Sequence, residues 1–267
     1  MPPTDPALRA DLIATAHALA DAARPVTLQH FRDSSVLAEN KLDAGFDPVT
    51  VADRDSERAM RDLLARRRPD DGILGEEFGP VEGTSGLTWV LDPIDGTRGY
   101  ISGTPTWGVL VAVNAGAAPL YGIIDQPYIR ERFAGGFGEA WVEGPSGRAE
   151  LATRATARIE DATLFTTFPE IGSPEEEAAF ARVRARARLT RYGMDCYGYA
   201  LIAAGQVDLV IESGLSAYDV QAPIAVVEAA GGIVTDWRGD PVHAGGQVLA
   251  AGNRELHRAA LALLAGG

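Results

Sequence analysis

The chain is poor in cysteine and histidine, the side chains that most often bind zinc and other soft or borderline metals. Its 267 residues include one cysteine, Cys196, and four histidines outside any motif: His17, His30, His243 and His257. One cysteine excludes an intrachain disulfide and is typical of a reducing compartment. A zinc site is therefore not expected. Cys196 lies in an Asp-Cys-Tyr sequence before an apolar stretch, which favours packing over nucleophilic catalysis.

Long hydrophobic runs are also missing, although 46% of the residues are hydrophobic. No run approaches the ~18 apolar residues that a membrane-spanning helix needs. The first six residues lack the basic region and the apolar stretch of a secretory signal peptide. We therefore expect a cytoplasmic protein without a membrane partner.

The chain has fewer basic residues than acidic ones. The chain has 24 lysines and arginines against 37 aspartates and glutamates, a formal net charge of −13. Nucleic acid is therefore an unfavourable partner, because its phosphates would be repelled. An anionic substrate would be repelled too, unless bound metal ions reversed the charge locally.

The sequence is long enough to bury a sizeable core, as one large domain or two tightly joined halves. We place a boundary near Gly144-Pro145-Ser146-Gly147, between an N-terminal α+β half (1–150) and a C-terminal α/β half (151–267). In the first half we predict helices at 8–31, interrupted or bent near Pro25, and at 56–67, with an irregular or hairpin segment at 34–52. We also predict antiparallel strands at 107–113, 120–125, 131–134 and 140–143. In the second half we predict helices at 174–185, 195–204, 217–230 and 254–265, alternating with strands at 162–166, 187–192, 208–211, 233–236 and 247–251. This alternation is typical of a layered α/β architecture.

The most informative stretch is Trp89-Val90-Leu91-Asp92-Pro93-Ile94-Asp95-Gly96-Thr97. Its apolar start predicts a buried strand, which we expect Pro93 to end because proline has no N–H to donate. Asp92 and Asp95 would then emerge at the strand's C-terminal tip, where layered sheets often hold ligands. Gly96 allows close backbone approach, and the N–H groups of Gly96 and Thr97 suit an anion. Together these groups fit Mg²⁺ and phosphate, although Asp-Pro and Asp-Gly are also ordinary turn pairs.

Further acids occur at suggestive places, each with a structural explanation of its own. Glu76 and Glu77 follow the apolar Ile73-Leu74-Gly75, as solvated surface acids also do. Asp53 is predicted to be the N-cap of a helix. Asp219 lies in the first turn of another predicted helix, where the helix dipole alone favours an acid. The combination is more informative than any one of them.

That combination resembles the inositol monophosphatase family of Mg²⁺-dependent phosphatases. The matching pieces, in the family's order and spacing, are Asp53 before a helix, Gly75-Glu76-Glu77, Asp92 through Thr97, and Tyr218-Asp219 through Ala229-Ala230-Gly231-Gly232. Two departures are mild: Tyr218 stands where the family commonly has Trp, and Ala230 interrupts its usual Glu-Ala-Gly-Gly ending. Within the family the chain looks most like the histidinol-phosphate phosphatases, on segments at Gly99–Gly103, Trp107-Gly108, Ile124–Tyr128 and Asp195-Cys196-Tyr197.

The resemblance implies a five-layer α-β-α-β-α sandwich, a homodimer, and a site between the two halves. It implies two or three Mg²⁺ ions. Glu76, Asp92 and the Ile94 carbonyl would hold one ion, and Asp92, Asp95 and Asp219 a second. Thr97 and Asp53 would orient and help deprotonate the attacking water, with Glu76 beside it. Chemistry alone does not decide between Glu76 and Glu77; the family's spacing points to Glu76.

The substrate is harder to read. By resemblance, Gly96 and Thr97 would receive the phosphate, and Asp195 and Glu212 would lie beside the organic part of the substrate. Two acids there suit a cationic leaving group such as histidinol, although Asp195 would equally serve as a helix cap. Lys41 is a candidate phosphate contact or a solvated loop residue.

The run Arg182, Arg184, Arg186 and Arg188 would share one face of a strand but not of a helix. We expect these arginines to form a solvent or dimer surface, with a substrate-gating arginine as the alternative.

We therefore expect an Mg²⁺-dependent phosphatase that hydrolyses L-histidinol phosphate in histidine biosynthesis. An inositol-1-phosphate or broad small-sugar phosphatase is the nearest alternative. A noncatalytic metal-binding regulatory protein is a third, which the presence of Thr97 and Asp53 disfavours.

Overall fold

The computed structural model describes residues 5–33, 39–40, 48–116 and 118–266. Lys41, a candidate phosphate contact, lies outside these residues. Within them, no helix is both long and apolar enough to cross a bilayer.

The helices and strands follow one another in a mixed order. The helices are α1 (Pro6–His30), α2 (Val51–Arg67), α3 (Thr97–Ile101), α4 (Pro174–Arg184), α5 (Asp195–Ala203), α6 (Ala217–Ala229) and α7 (Arg254–Leu264). The first strands are β1 (Glu39–Asn40), β2 (Pro48–Val49), β3 (Gly72–Gly75), β4 (Gly79–Val81), β5 (Thr88–Asp95), β6 (Gly108–Asn114), β7 (Pro119–Gln126), β8 (Glu131–Gly136), β9 (Glu139–Gly144) and β10 (Gly147–Glu150). The later strands are β11 (Thr163–Thr166), β12 (Leu189–Tyr192), β13 (Leu209–Ser216), β14 (Ile233–Thr235) and β15 (Gly245–Ala251).

Two large sheets form the framework. The first has eight strands in the order β10-β9-β8-β7-β6-β5-β3-β4, antiparallel except for the parallel pair β3 and β5. The second has five strands in the order β12-β11-β13-β15-β14, with β11 parallel to both its neighbours. The strands of the first sheet lie within 72–150 and those of the second within 163–251.

The helices cover these sheets in three layers. Helices α1 and α2 contact β5, β6 and β7 on one face of the first sheet. Helices α5 and α6 lie between the sheets and contact strands of both. Helices α4 and α7 contact each other, and α7 also contacts β15 of the second sheet. The result is an α-β-α-β-α sandwich, as predicted.

Strand β6 shows why this sandwich has separate cores. All seven of its residues are buried, and successive side chains of a strand point to opposite faces. Val109, Val111 and Val113 join the core beneath α1 and α2. Leu110 and Ala112 join the core that includes α5, α6 and the second sheet. A third core lies between the second sheet and the pair α4 and α7.

Two local predictions were wrong. Helix α2 begins at Val51 with Thr50 as its N-cap, so Asp53 is its third residue rather than the cap. The Thr50 and Asp53 side chains bond to each other's backbone N–H in a reciprocal capping box, and Thr50 therefore supplies the cap. Strand β5 does not end at Pro93 but continues to Asp95. In addition, helix α1 is not interrupted at Pro25, which was one of the two outcomes expected there.

The arginine run does not lie on one strand. Arg182 and Arg184 belong to α4, and Arg186 and Arg188 follow it before β12 begins. The Arg182 guanidinium donates to the carbonyls of Leu263 and Leu264 at the end of α7. Arg186 pairs with Glu160. These contacts tie outer segments of the second half together.

The division into halves at residue 150 stays a prediction. The sheets fall on either side of it, but α6, from the second half, packs on β6, β7 and β8 of the first. Packing of α6 on both sheets places its first turn near the end of β5, where the candidate site lies.

Candidate active site

A bulge in β5 brings Asp92 and Asp95 to the same side of the strand. In a regular strand, residues three positions apart point to opposite faces. Here Asp92 lies opposite Leu110 and Asp95 opposite Gly108, so three steps along β5 match two along β6. The extra residue is a β-bulge, which accommodates Pro93 and its missing N–H without ending the strand. The proline thus helps to direct two acids into one site.

Asp219 joins these two acids from the opposite half of the chain. It is the third residue of α6 and accepts a 2.6 Å hydrogen bond from the backbone N–H of Ser216, the helix N-cap. One carboxylate oxygen from each of Asp92, Asp95 and Asp219 lies within 4.8 Å of the other two. Asp92 is buried, and the other two are partly buried.

The electrostatics of this cluster favour binding of a cation. Burial and the neighbouring carboxylates of Glu76, Asp95 and Asp219 raise the pKa of Asp92 well above its usual value. Burial, Asp195 and Asp219 do the same for the pKa of Asp95. Each shift arises because a negative charge is disfavoured there, and a bound cation would remove that cost.

Glu76 enters the same cavity from a tight turn. Strands β3 and β4 pair as a hairpin in which Gly75 lies opposite Gly79, and Glu76 is the first residue of the turn. Its backbone N–H donates to the Leu91 carbonyl at 3.2 Å. Of the two adjacent glutamates, Glu76 lines the cavity, whereas the backbone N–H of Glu77 donates to the buried Glu57 carboxylate. The geometry therefore favours Glu76 over Glu77 as the acid that faces the site.

Thr97 links the aspartate cluster to α2. Its Oγ1 is 3.1 Å from the Ile94 carbonyl oxygen and 3.4 Å from Oδ1 of Asp53. The other Asp53 oxygen accepts from the N–H and the hydroxyl of Thr50, at 2.8 and 2.6 Å. Asp53 is fully buried and touches the site through Thr97, which itself lines the cavity.

The acids open into a cavity of about 510 Å³, within the range of small-molecule sites. Gly96 and Thr97 line it at the start of α3, and Asp195 lies against them. Gly96 has a φ of +84°, and a Cβ there would come within 2.7 Å of the Asp195 carboxyl carbon. Only glycine fits both demands.

Asp195 and Glu212, the two acids predicted beside the substrate, both line this cavity. Asp195 has a φ of +46°, the left-handed region that few non-glycine residues adopt, and burial raises the pKa of its carboxyl. It begins α5 but follows the N-cap residue Met194, so it is not the cap. Burial raises the pKa of Glu212 to about 7. A partly buried acid and a buried one, both with raised pKa values, suit a cationic group.

Threonines at the end of β11 hold Glu212. The backbone N–H and hydroxyl of Thr167 donate to one Glu212 oxygen at 2.8 and 3.0 Å, and the Thr166 hydroxyl lies 3.3 Å from the other. These bonds partly offset the cost of burying the carboxylate.

Sequence reasoning missed several residues of the cavity wall, namely Arg98, Thr167, Phe168 and Tyr199. The Arg98 guanidinium stacks 5.0 Å above the Phe168 ring, and its charge opposes the rise in the pKa of Asp195. Tyr199 is 3% exposed, and its hydroxyl has no hydrogen-bond partner among the described residues. Arg98 directly follows Thr97 in the motif, a position that could have indicated it; the others come together only through the fold.

Cys196 also lines the cavity, but its surroundings disfavour a reactive thiolate. It is 3% exposed, its backbone N–H donates to Asp95 at 2.6 Å, and its sulfur lies 3.4 Å from the Gln126 amide nitrogen. Burial and the charge of Asp95 raise the pKa of the thiol well above its usual value. The thiolate needed of a nucleophile is therefore disfavoured, in agreement with the predicted packing role.

The donor set fits a hard divalent cation. Carboxylate oxygens from three or four acids and a nearby backbone carbonyl are the ligands that Mg²⁺ prefers. No histidine nitrogen lines the cavity among the described residues, and its one sulfur is the protonated Cys196. The raised pKa values of Asp92 and Asp95 are the independent sign that positive charge belongs here.

Comparison with known proteins agrees with this geometry. The inositol monophosphatase family model matches residues 8–266. The chain is 39% identical to a bifunctional phosphatase, IMPL2, of Arabidopsis thaliana over 265 residues, covering 93% of this chain and 73% of that one. It is 33% identical to a histidinol-phosphatase of Chlorobaculum parvum over 251 residues, covering 93% and 95%. An inositol monophosphatase from Zymomonas mobilis superposes with a TM-score of 0.83 at 39% identity, covering 95% of this chain and 97% of that one.

A layered α/β sandwich with a candidate acidic metal site in a cavity of small-molecule size is the arrangement of a phosphatase that acts on small phosphate monoesters. The chain belongs to the inositol monophosphatase family. The family and the fold predicted from the sequence are both confirmed.

Proposed function

We propose that this protein is an Mg²⁺-dependent phosphatase that hydrolyses L-histidinol phosphate to L-histidinol and phosphate, a step of histidine biosynthesis. One observation carries the proposal. The close cluster of Asp92, Asp95 and Asp219 lines the same cavity as two further acids, the partly buried Asp195 and the buried Glu212. The first set suits a metal and a phosphate, and the second suits a cationic alcohol.

In this proposal Glu76, Asp92 and the Ile94 carbonyl would hold one Mg²⁺, and Asp92, Asp95 and Asp219 would hold another; a third ion is the other number that the resemblance implies. When bound, Mg²⁺ supplies positive charge for the phosphoryl oxygens and makes water more acidic. Asp92 is shared by both sets and is therefore the ligand least open to replacement.

The chain's own groups would then orient the attacking water. The Thr97 oxygen accepts a hydrogen of that water while its own proton points to Asp53, which Thr50 holds in place. Glu76 stands nearby as a further acceptor. The backbone at Gly96 and Thr97, at the start of α3, receives the phosphate.

The leaving alcohol would lie against Asp195 and Glu212. Histidinol carries an amine and an imidazole, so both acids would gain a charge-assisted hydrogen bond. Because burial raises the pKa of both carboxyl groups, a cationic ligand would stabilise their ionised forms most. The similarity to the histidinol-phosphatase of Chlorobaculum parvum supports the same substrate.

An inositol-1-phosphate phosphatase is the second candidate. The similarity to the Zymomonas mobilis inositol monophosphatase, at 39% identity, favours it. The metal chemistry would be unchanged. An inositol ring is neutral, however, and would gain less from two acids than histidinol does.

The experiment is to measure phosphate release from histidinol phosphate and from inositol-1-phosphate, each with Mg²⁺ and with EDTA. We expect Mg²⁺-dependent release that is much faster from histidinol phosphate. Equal or reversed rates would contradict the assignment of histidinol phosphate as the substrate. Phosphate release that continues in EDTA would contradict the proposed Mg²⁺ dependence. No phosphate release from either substrate would favour a noncatalytic metal-binding protein. Preparations of Asp92→Asn, made in parallel, control for contaminating phosphatases.

We further propose that the protein acts in the cytoplasm as a homodimer on this small phosphate monoester. Light scattering during size-exclusion chromatography tests the dimer, and a monomer's mass would contradict it.

A further inference from the structure

One face of α2 carries three charged residues at successive helical turns: Asp53, Glu57 and Arg61. Residues four apart on a helix lie on the same face. Asp53 contacts Thr97, as described above. The other two belong to no part of the proposed mechanism, yet Glu57 is fully buried and the Arg61 side chain is only 15% exposed.

Glu57 holds the turn that carries Glu76. One Glu57 oxygen accepts from the backbone N–H of Glu77 at 2.7 Å. The other accepts from the N–H of Phe78 at 3.2 Å and from Arg61 Nε at 2.7 Å. The two residues that directly follow Glu76 are thus fixed by one buried carboxylate.

Arg61 and Gly75 complete this arrangement at the two ends of the turn. Arg61 also donates through Nη2 to the Gly79 carbonyl at 2.5 Å, so one guanidinium bonds both Glu57 and the first residue of β4. At Gly75, a Cβ would lie 2.1 Å from Oε1 of Glu57. The turn can approach α2 this closely only because position 75 has no side chain.

The geometry points to Glu57 as a positioning residue for the reaction: it sets the place of Glu76 relative to Asp92 and thereby the affinity of the metal site. This inference rests on the proposed function in so far as Glu76 is a metal ligand. It adds that a single face of α2 positions both the water-orienting Thr97, through Asp53, and the ligand Glu76, through Glu57.

The chemistry of the contact explains why a carboxylate is needed. Glu57 accepts at both oxygens, from two backbone N–H groups and a guanidinium. Glutamine has one acceptor oxygen, and its NH₂ group would face a donor on the other side. Glu57→Gln therefore keeps the shape and releases one side of the turn.

The test measures metal binding without any reaction. We would titrate metal-free protein with Mn²⁺, which takes the same oxygen ligands as Mg²⁺, and follow the free ion by electron paramagnetic resonance. Supporting residues of metal ligands typically change affinity by about 10- to 100-fold. We expect Glu57→Gln to weaken Mn²⁺ binding about 10-fold and to raise the Mg²⁺ concentration needed for half-maximal activity by a similar factor.

Asp208→Asn is the matched control. Asp208 is equally buried and also accepts from a backbone N–H and an arginine, here Thr163 and Arg154, but it lies just before β13 and does not line the cavity. It should destabilise the fold as Glu57→Gln does and leave Mn²⁺ affinity unchanged. If Glu57→Gln fails to fold, Arg61→Ala weakens the same contact from a partly exposed position and takes its place.

Glu76→Gln separates this inference from the proposed function. If Glu76→Gln weakens Mn²⁺ binding and neither Glu57→Gln nor Arg61→Ala does so beyond the control, the positioning role is wrong and the metal site stands. If Glu76→Gln binds Mn²⁺ like the wild type, both the ligand assignment and the positioning role fall. If both glutamate variants lose affinity but no phosphate monoester is hydrolysed, the positioning role stands and the proposed function falls.

Discussion

Buried carboxylates occur in two very different settings in this molecule. Asp208 and Asp71 each pair with an arginine, Arg154 and Arg68, and accept further hydrogen bonds. These bonds lower the pKa of both carboxyl groups despite burial. At the candidate site, the charges acting most strongly on Asp92 are other carboxylates, and its pKa is raised.

The difference separates structural acids from functional ones. An acid whose counter-ion is part of the chain stabilises the fold on its own. An acid surrounded by like charges costs folding free energy until a cation from outside arrives. Burial alone would not have distinguished them, since Asp92 and Asp208 are 1% and 0% exposed.

The largest expected effect comes from neutralising one acid of each kind: the site acid should cost activity, and the structural acid should cost stability. Asp92→Asn should lower kcat about 1000-fold or more, because it removes charge that the proposed metals share, worth about 4 kcal/mol. The introduced amide oxygen can still accept the bond that Ile94 N–H donates to Asp92 at 3.0 Å, so the fold should survive. Asp208→Asn should keep kcat and lose about 3 kcal/mol of stability, because it breaks a buried ion pair.

Steady-state kinetics with saturating Mg²⁺ and thermal unfolding of the metal-free proteins would measure both arms. Since the ionised form of Asp92 is disfavoured in the folded state, metal-free Asp92→Asn should unfold no earlier than the wild type at pH 7. Near-normal turnover of Asp92→Asn with full Mg²⁺ dependence would overturn its bridging role.

Substitution of Asp195 tests which acid of the site determines the choice of substrate. Asp195→Ala removes a charge-assisted hydrogen bond worth about 1.5–3 kcal/mol, so kcat/KM for histidinol phosphate should fall about 10- to 100-fold. Inositol-1-phosphate should be affected little, because its alcohol is neutral. An equal loss on both substrates, or none, would exclude Asp195 as the specificity residue.

Part of the candidate site could be predicted from the sequence, and part could not. Asp92, Asp95, Gly96 and Thr97 stand in one short string, so their chemistry is visible without a fold. Asp219 was placed correctly because its helix start is a local pattern. Pro93 was misread because a bulge is a property of pairing with β6, which the order of residues does not show.

Other errors have similar physical causes. Asp53 was predicted as an N-cap three positions late, because both members of a capping box are residues that favour caps. Glu57 was missed because an acid on a charged helix is usually solvated; only the approach of the Gly75 turn buries it. Glu212 was proposed by resemblance alone, and its partners Thr166 and Thr167 lie 46 and 45 residues earlier in the chain.

Mg²⁺ should stabilise the folded protein more at high pH than at low pH. The folded-state pKa values of Asp92 and Asp95 lie above their unfolded values, so protons compete with the cation up to a higher pH than at ordinary carboxyl groups. At tenfold excess over its dissociation constant, Mg²⁺ contributes about 1.4 kcal/mol. The rise in unfolding temperature on adding Mg²⁺ should therefore grow from pH 5.5 to pH 8.

The increment due to Mg²⁺ isolates this effect from other titrating groups. Burial and the charge of Arg132 lower the pKa of His17 to about 4, which favours folding as pH rises, but equally with and without Mg²⁺. An increment that is constant or shrinks with pH would contradict the assignment of the acid cluster as the cation site.

The smallest expected effect concerns the hydroxyl of Tyr199, an uncharged buried group in the wall of the same cavity. This buried group has no hydrogen-bond partner among the described residues, and burial raises its pKa well above the usual value, so it stays protonated. A buried donor without a partner costs about 1–3 kcal/mol. Tyr199→Phe removes the donor and keeps the ring, so the metal-free protein should gain about 1 kcal/mol of unfolding free energy in urea titrations.

The same substitution at Tyr100, whose hydroxyl donates to the Thr27 carbonyl at 2.7 Å, should instead destabilise the protein. If both variants lose stability alike, Tyr199 is satisfied in solution, and the cavity wall follows the same rule as the rest of the core.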